Sequence, residues 1–172
     1  KKLLAFALQD VPRYTSYPTA VQFQDGFPGD QADRWLAELP PDASLSLYVH
    51  VPFCQQLCWY CGCHTSVPTS YGRASAYVDS LLSDITRSGK LSGAEKGNVK
   101  HLHFGGGTPT YLSNADLGRI LACINGSFGL APEAEIALES DPRGITRDRA
   151  FGLAAMGFNR ISVAALLADA GE

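Results

Sequence analysis

The sequence predicts an α/β fold, a parallel sheet covered by helices and preceded by an irregular N-terminal arm. Three observations carry that prediction. Short strand-like runs alternate with longer amphipathic runs, from strand through helix to strand until a last strand near residue 160; such alternation implies right-handed βαβ units. Unusual chemistry falls at the ends of the strand-like runs: a cysteine cluster after the first, Gly105-Gly106-Gly107 after the second and Glu139 at the third. Sites in parallel sheets sit at the C-terminal strand ends. The composition, 45% hydrophobic and 18% charged over 172 residues, suits a folded domain with a core of its own rather than a disordered chain.

The elements follow in order. Residues 1–44 read as an arm. Lys1 to Leu8 begins like a signal peptide, but Gln9, Asp10 and Pro12 stop it with no small-residue cleavage site after it, so it reads as an amphipathic segment. Arg13-Tyr14-Thr15-Ser16-Tyr17-Pro18-Thr19 is extended, because proline disfavours helix in the residue before it. A short helix from Asp30 to Leu39 is stopped by Pro40-Pro41. Residues 45–172 form the main body. Its first strand, Leu45 to Val51, ends at Pro52. Tyr77, Val78, Leu81, Leu82 and Ile85 recur at helical spacing over 71–88. Val99 to Phe104 alternates as a strand. Ser113 to Asn125 is a helix with Leu117, Ile120, Leu121 and Ile124 as its buried stripe. Glu135 to Glu139 is a strand, Thr146 to Met156 a helix closed by Gly157, and Phe158 to Val163 the fourth strand.

Charge and cysteine usage narrow the function. With 17 acidic against 14 basic residues, the balance argues against nucleic acid as the main partner, since phosphate binding usually needs a basic face. No apolar run approaches the roughly 20 residues of a membrane span. Four of the five cysteines, Cys54, Cys58, Cys61 and Cys63, lie within ten residues. Such close spacing closes no useful disulfide loop. It points to metal or redox chemistry. A C-x3-C-x2-C loop lets three thiolates meet three corners of a cubane iron–sulfur cluster. Structural zinc normally takes two separated Cys or His pairs, and no second pair follows, although His64 is adjacent. Zinc and plain buried thiols stay open as alternatives at this point.

Tyr48-Val49-His50-Val51-Pro52-Phe53-Cys54, together with C-x3-C-x2-C, resembles the radical S-adenosylmethionine enzymes. The arm Arg13 to Thr19, the extra Cys63, and His103-Phe104-Gly105-Gly106-Gly107-Thr108-Pro109-Thr110-Tyr111-Leu112 make the chain similar to the oxygen-independent coproporphyrinogen III oxidases within that group, over about Arg13 to Ser162. The resemblance implies an incomplete (β/α) partial TIM-type barrel, of which 45–172 supplies the first four strands. It implies that Cys54, Cys58 and Cys61 hold a [4Fe–4S] cluster. In the family the open iron of that cluster chelates S-adenosylmethionine, and one electron from the reduced cluster cleaves its sulfonium to methionine and a 5′-deoxyadenosyl radical. In the family that radical takes a hydrogen from a propionate side chain, which then loses carbon dioxide and one electron to leave a vinyl group. Two such events turn coproporphyrinogen III into protoporphyrinogen IX. The family binds two S-adenosylmethionine molecules: Tyr48, Gly106 and Glu139 are assigned to the first, and Tyr60, Gly107 and Thr108 to the second. No residue is assigned as a catalytic acid or base. Implied partners are the porphyrinogen and a flavodoxin- or ferredoxin-like electron donor, and the expected compartment is the cytoplasm.

Each residue also has a plainer reading. Tyr48 is a common strand-end tyrosine, Tyr60 a lid over the loop, the glycines a tight turn and Glu139 a solvated carboxylate. The histidines are packed strand residues, and Cys123 belongs to the core. The glycine run is neither a P-loop nor a dinucleotide fingerprint, since position 110 is Thr. After Ser162 the chain departs from the family pattern: Leu166 stands where a cofactor-binding glutamine is normal. The main alternative function is a haem-binding or cluster-carrying module without decarboxylase activity. A parallel sheet of four strands leaves an apolar edge and one uncovered face, from which marginal solubility of the isolated chain follows as an expectation.

Overall fold

A computed structural model describes residues 19–23, 26, 28–58 and 61–163. Arg13 to Pro18, Tyr60 and the stretch around Leu166 lie outside the described residues. The chain divides into two compact units, Lys1–Ala32 and Asp33–Glu172. In the first, Ala20–Gln22 forms one turn of 3-10 helix, closed by Gln22 N–H donating to Thr19 O at 2.8 Å.

The second unit carries the alternating elements. Helix α1, Gln31–Ala37, begins two residues before the boundary between the units, and strand β1, Leu45–Val51, follows it. Then come α2 (Gly72–Leu91), β2 (Val99–Gly106), α3 (Asn114–Phe128), β3 (Leu130–Ser140), α4 (Arg147–Ala155) and β4 (Arg160–Val163). The four strands lie in one sheet in the order β1-β2-β3-β4, every pair parallel. Sequential parallel neighbours joined by helices match the predicted βαβ succession.

One face of the sheet is apolar and packs on the helices. Val49 and Val51 of β1, Leu102 and Phe104 of β2, and Ile136 and Leu138 of β3 are buried there. They meet Ala74, Val78 and Ile85 of α2, Leu117, Ile120 and Ile124 of α3, and Leu153 of α4 in a single core. Burying each large aliphatic side chain contributes roughly 1.5–3 kcal/mol. Phe104 is fully buried and meets Phe158 edge-on, ring centroids 5.3 Å apart.

Helix ends are defined by side chains. Ser113 accepts from Asp116 N–H at 3.1 Å at the start of α3, and Thr146 accepts from Arg149 N–H at 3.2 Å at the start of α4. Gly129 ends α3 with φ +72°. The half-buried Arg149 guanidinium donates to the carbonyls of Thr110 and Leu112 and to Asn114 Oδ1. It thereby fastens the Pro109–Tyr111 turn, which follows β2, to α4.

Strand β3 begins earlier than its sequence suggests, at Leu130 rather than Glu135. Leu130 pairs with Val99 and Glu135 with His101, so the ladder slips between them, and Pro132, which has no N–H to give, falls in the slip. Asn159 completes the pairing there: its Nδ2 donates to Ala134 O at 2.9 Å and its Oδ1 accepts from Ile136 N–H at 2.8 Å.

Candidate active site

The other face of the sheet is polar. Residue alternation along parallel strands puts Ser46, Tyr48 and His50 of β1 on it, beside His101 and His103 of β2, Glu135 and Glu139 of β3, and Arg160 and Ser162 of β4. The register aligns Tyr48 with His103, His103 with Ala137, and Glu139 with Ser162. The C-terminal ends of these strands open on a cavity of about 400 Å³. Cys54, Cys58 and Cys61 line it together with Cys63, Gly106, Gly107, Thr108 and Glu139. The predicted convergence of cysteine loop, glycine run and carboxylate on one rim is thus observed. A larger surface hollow around Asp33, Arg87 and Lys90 lies among helix residues and holds none of this chemistry.

The cysteine loop leaves the sheet through a short parallel bridge between Phe53 and Ser66. Cys54 N–H donates to Ser66 O at 2.9 Å, and Ser66 N–H donates to Pro52 O at 3.0 Å. Cys54 is buried, Cys58 half-buried, and Cys61 and Cys63 exposed; none is in a disulfide. Thr65 Oγ1 lies 3.2 Å from Cys54 Sγ, and Thr108 Oγ1 donates to the same sulfur at 3.4 Å. Cys61 N–H donates to Cys58 O at 3.1 Å. Burial, followed by the neighbouring Cys61 thiol, pushes the Cys63 thiol up from its ordinary value.

The glycines are fixed by space. Gly106 has φ +108°, and a Cβ there would stand 2.6 Å from His50 Cε1. A Cβ on Gly107 would stand 3.0 Å from Cys54 Sγ and 2.7 Å from Phe53 O. Gly107 N–H and Thr108 N–H donate to Val51 O and Phe53 O, both at 2.8 Å, so the glycine run lies directly against the base of the cysteine loop.

Glu139 accepts from Gly106 N–H at 3.3 Å, and its other oxygen lies 3.2 Å from His103 Nε2. A carboxylate only accepts, so this nitrogen of His103 carries the proton. The His103 ring stacks beneath Tyr48 at 5.9 Å between centroids and 12° between planes. Tyr48 is 59% exposed, yet its hydroxyl end is tucked against Gly105 and reaches His50 Nδ1 at 3.2 Å. Partial burial there, then the Glu139 charge, raises the Tyr48 pKa. His50 Nε2 meets His64 O at 3.0 Å. A carbonyl cannot donate, so His50 is protonated at Nε2, and its Nδ1 accepts from Tyr48.

Of the residues singled out by sequence, Tyr48, Gly106, Gly107, Thr108, Glu139 and the three spaced cysteines come together here. Sequence reasoning missed Thr65, His50, His103 and Arg143. The histidines sit at alternate strand positions one or two residues from recognised site residues, a signal that was present; Thr65 and Arg143 are placed by loop closure alone. Cys123 is half-buried on α3, its sulfur directed at Leu82 O at 3.6 Å, outside the site.

Comparison with known proteins agrees with this geometry. The model of the Radical SAM superfamily matches residues 48–165. An oxygen-independent coproporphyrinogen III oxidase of Bradyrhizobium diazoefficiens is 42% identical over 160 residues, covering 93% of this chain and 35% of that protein. The one of that name from Mannheimia haemolytica is 37% identical over 131 residues, covering 76% of this chain and 88% of that protein. The solved structure of Escherichia coli coproporphyrinogen III oxidase, described as a radical SAM enzyme, superposes with a TM-score of 0.81 at 38% identity, over 95% of this chain and 36% of that one. The chain therefore belongs to the radical SAM superfamily and, within it, to the oxygen-independent coproporphyrinogen III oxidases. It spans about a third of the length of the Bradyrhizobium and Escherichia relatives.

Proposed function

We propose that this chain carries the cluster- and S-adenosylmethionine-binding part of an oxygen-independent coproporphyrinogen III oxidase. The carrying observation is the shared cavity: three free thiols in C-x3-C-x2-C spacing open on the same space as the glycine run and Glu139. The donor set fits a cluster better than a lone ion. Three thiols spaced along one loop and lining one cavity suit a polynuclear cluster, which gives each thiolate its own iron.

In this reading Cys54, Cys58 and Cys61 hold a [4Fe–4S] cluster. The Thr65 and Thr108 hydroxyls lie within hydrogen-bond reach of Cys54 Sγ and can donate to a ligating sulfur there. When bound, the cluster and S-adenosylmethionine would supply the 5′-deoxyadenosyl radical for oxidative decarboxylation of coproporphyrinogen III to protoporphyrinogen IX. The chain's own residues bind and orient. Gly106 and Gly107 line the cavity, and a Cβ at either is excluded by His50 or by Phe53 and Cys54, so bare backbone faces a ligand there. Glu139, already oriented by His103 and Gly106 N–H, keeps lone pairs for ribose hydroxyls of a first S-adenosylmethionine. Tyr48, braced by His50 and His103, lies on the same sheet face beside Gly105. Gly107, Thr108 and Tyr60 are assigned to a second S-adenosylmethionine on the family pattern. The electron donor is of flavodoxin or ferredoxin class, and the cytoplasm suits such oxygen-labile chemistry.

The test is anaerobic reconstitution of the chain with iron and sulfide. The expected product is brown, holds four irons per chain by the cluster's stoichiometry, and loses its visible absorbance on Cys54→Ala. With dithionite it cleaves S-adenosylmethionine to methionine. A colourless protein binding one zinc tightly refutes the reading.

A further inference from the structure

We infer that Arg143 is a positioning residue that tunes the reduction potential of the cluster through Cys58. The inference rests on the reading above and concerns a residue to which that reading gives no part. Arg143 lies in the Pro142–Gly144 turn at the end of β3. Its Nη2 is directed at Cys58 Sγ, 3.9 Å away, across 85 residues of sequence. The side chain is held in that direction. Its Nε donates to both oxygens of Asp141 at 2.8 and 3.0 Å, and Nη2 donates to Asp141 Oδ2 at 2.5 Å. Asp141 is fixed in turn by accepting from Arg143 N–H at 2.9 Å. On the loop side, the Gln56 carboxamide lies beside the guanidinium, and with its oxygen turned toward Arg143 it is placed to accept from Nε at 3.2 Å. The guanidinium therefore joins the end of β3 to the segment between Cys54 and Cys58.

Cluster potentials depend on net charge and on hydrogen bonds to the ligating sulfurs. Reduction adds one electron to the cluster from a low-potential donor, and no bond is made or broken. A cation donating N–H toward the Cys58 sulfur favours the more negative, reduced form. The Asp141 carboxylate stands behind the guanidinium and opposes it. The two residues thus act with opposite signs, which a merely structural clamp has no reason to do.

The experiment is an EPR-monitored redox titration of the anaerobically reconstituted chain with dithionite, without S-adenosylmethionine, alongside iron per chain. Arg143→Met is expected to disfavour reduction about tenfold, a fall of about 59 mV in midpoint for one electron. Arg143→Lys is expected to lie between the two, and Asp141→Asn, which keeps an acceptor for Arg143 N–H, to move the midpoint upward. If Arg143→Met fails to take up iron, the Lys and Asn variants decide. Midpoints that coincide in all loaded variants overturn this inference and leave the functional reading standing. An unaltered chain that takes up no iron overturns that reading, and this inference with it.

Discussion

Adding one methyl group at Gly107 tests whether the glycine run and the cysteine loop form one packed unit. A Cβ on Gly107 would stand 2.4 Å from Thr65 Oγ1, 2.7 Å from Phe53 O and 3.0 Å from Cys54 Sγ. Comfortable contacts between carbon and its neighbours begin near 3.5 Å. The Thr65 hydroxyl can rotate aside. Phe53 O cannot, because it accepts from Thr108 N–H at 2.8 Å and belongs to the bridged segment at the base of the loop. The displacement therefore falls on backbone and on Cys54. Overpacking of this kind costs about 1–3 kcal/mol. With a urea slope of about 1–3 kcal/mol per molar for a small domain, Gly107→Ala should lower the unfolding midpoint by on the order of 1 M. It should also take up less iron on reconstitution, since Cys54 is a proposed ligand. Gly62, in the same loop, has nothing within 4 Å of its Cβ position and serves as the control. Gly62→Ala should match the unaltered protein to within about 0.5 kcal/mol. A Gly107→Ala protein indistinguishable from Gly62→Ala in both urea midpoint and iron content would refute the close packing argued here.

Two further predictions concern the cap of α3. Ser113→Ala removes both the bond from Asp116 N–H and the 3.0 Å bond to Asp116 Oδ2, and should cost about 0.5–2 kcal/mol in urea unfolding. Tyr71 donates to Asp116 Oδ2 at 2.6 Å, and this bond, with help from Arg119 and Ser113, holds the Asp116 carboxyl below its usual range. A depressed folded-state pKa adds stability above the unfolded value of about 3.9, and that stability is lost as pH falls through the folded value. Tyr71→Phe should therefore raise the Asp116 titration midpoint, read by carboxyl NMR, and flatten the acid loss of stability below about pH 5; an unmoved midpoint contradicts the assignment.

Much of this fold was legible because its elements obey simple periodicities. Leu117, Ile120, Leu121 and Ile124 marked α3, and the run ending at Pro52 marked β1 to the residue. The early part of β3 was not legible, because Pro132 and the slipped register remove both the alternation and the ladder that announce a strand. The 3-10 turns at Pro109–Tyr111 and Pro142–Gly144 were missed as well, since three residues are too short for a period to show. In the site, the cysteines, Gly106 and Glu139 stood out by type and spacing. Arg143 did not: it is a local turn partner of Asp141, and its approach to Cys58 depends on where two distant loops end. His50 and His103 were taken as ordinary strand histidines, although period-two alternation already put them on the same face as Tyr48.

The Phe53–Ser66 bridge has a consequence for survival in air. The ends of the cysteine loop are clasped by backbone bonds that involve no sulfur ligation, so the entropy of bringing those ends together is offset by the sheet rather than by the metal. Oxygen damage to the inorganic core should then empty the loop without melting the domain, and far-ultraviolet circular dichroism should be the same before and after stripping. The bleached molecule becomes a substrate for repair, ready to be refilled, rather than debris for proteolysis.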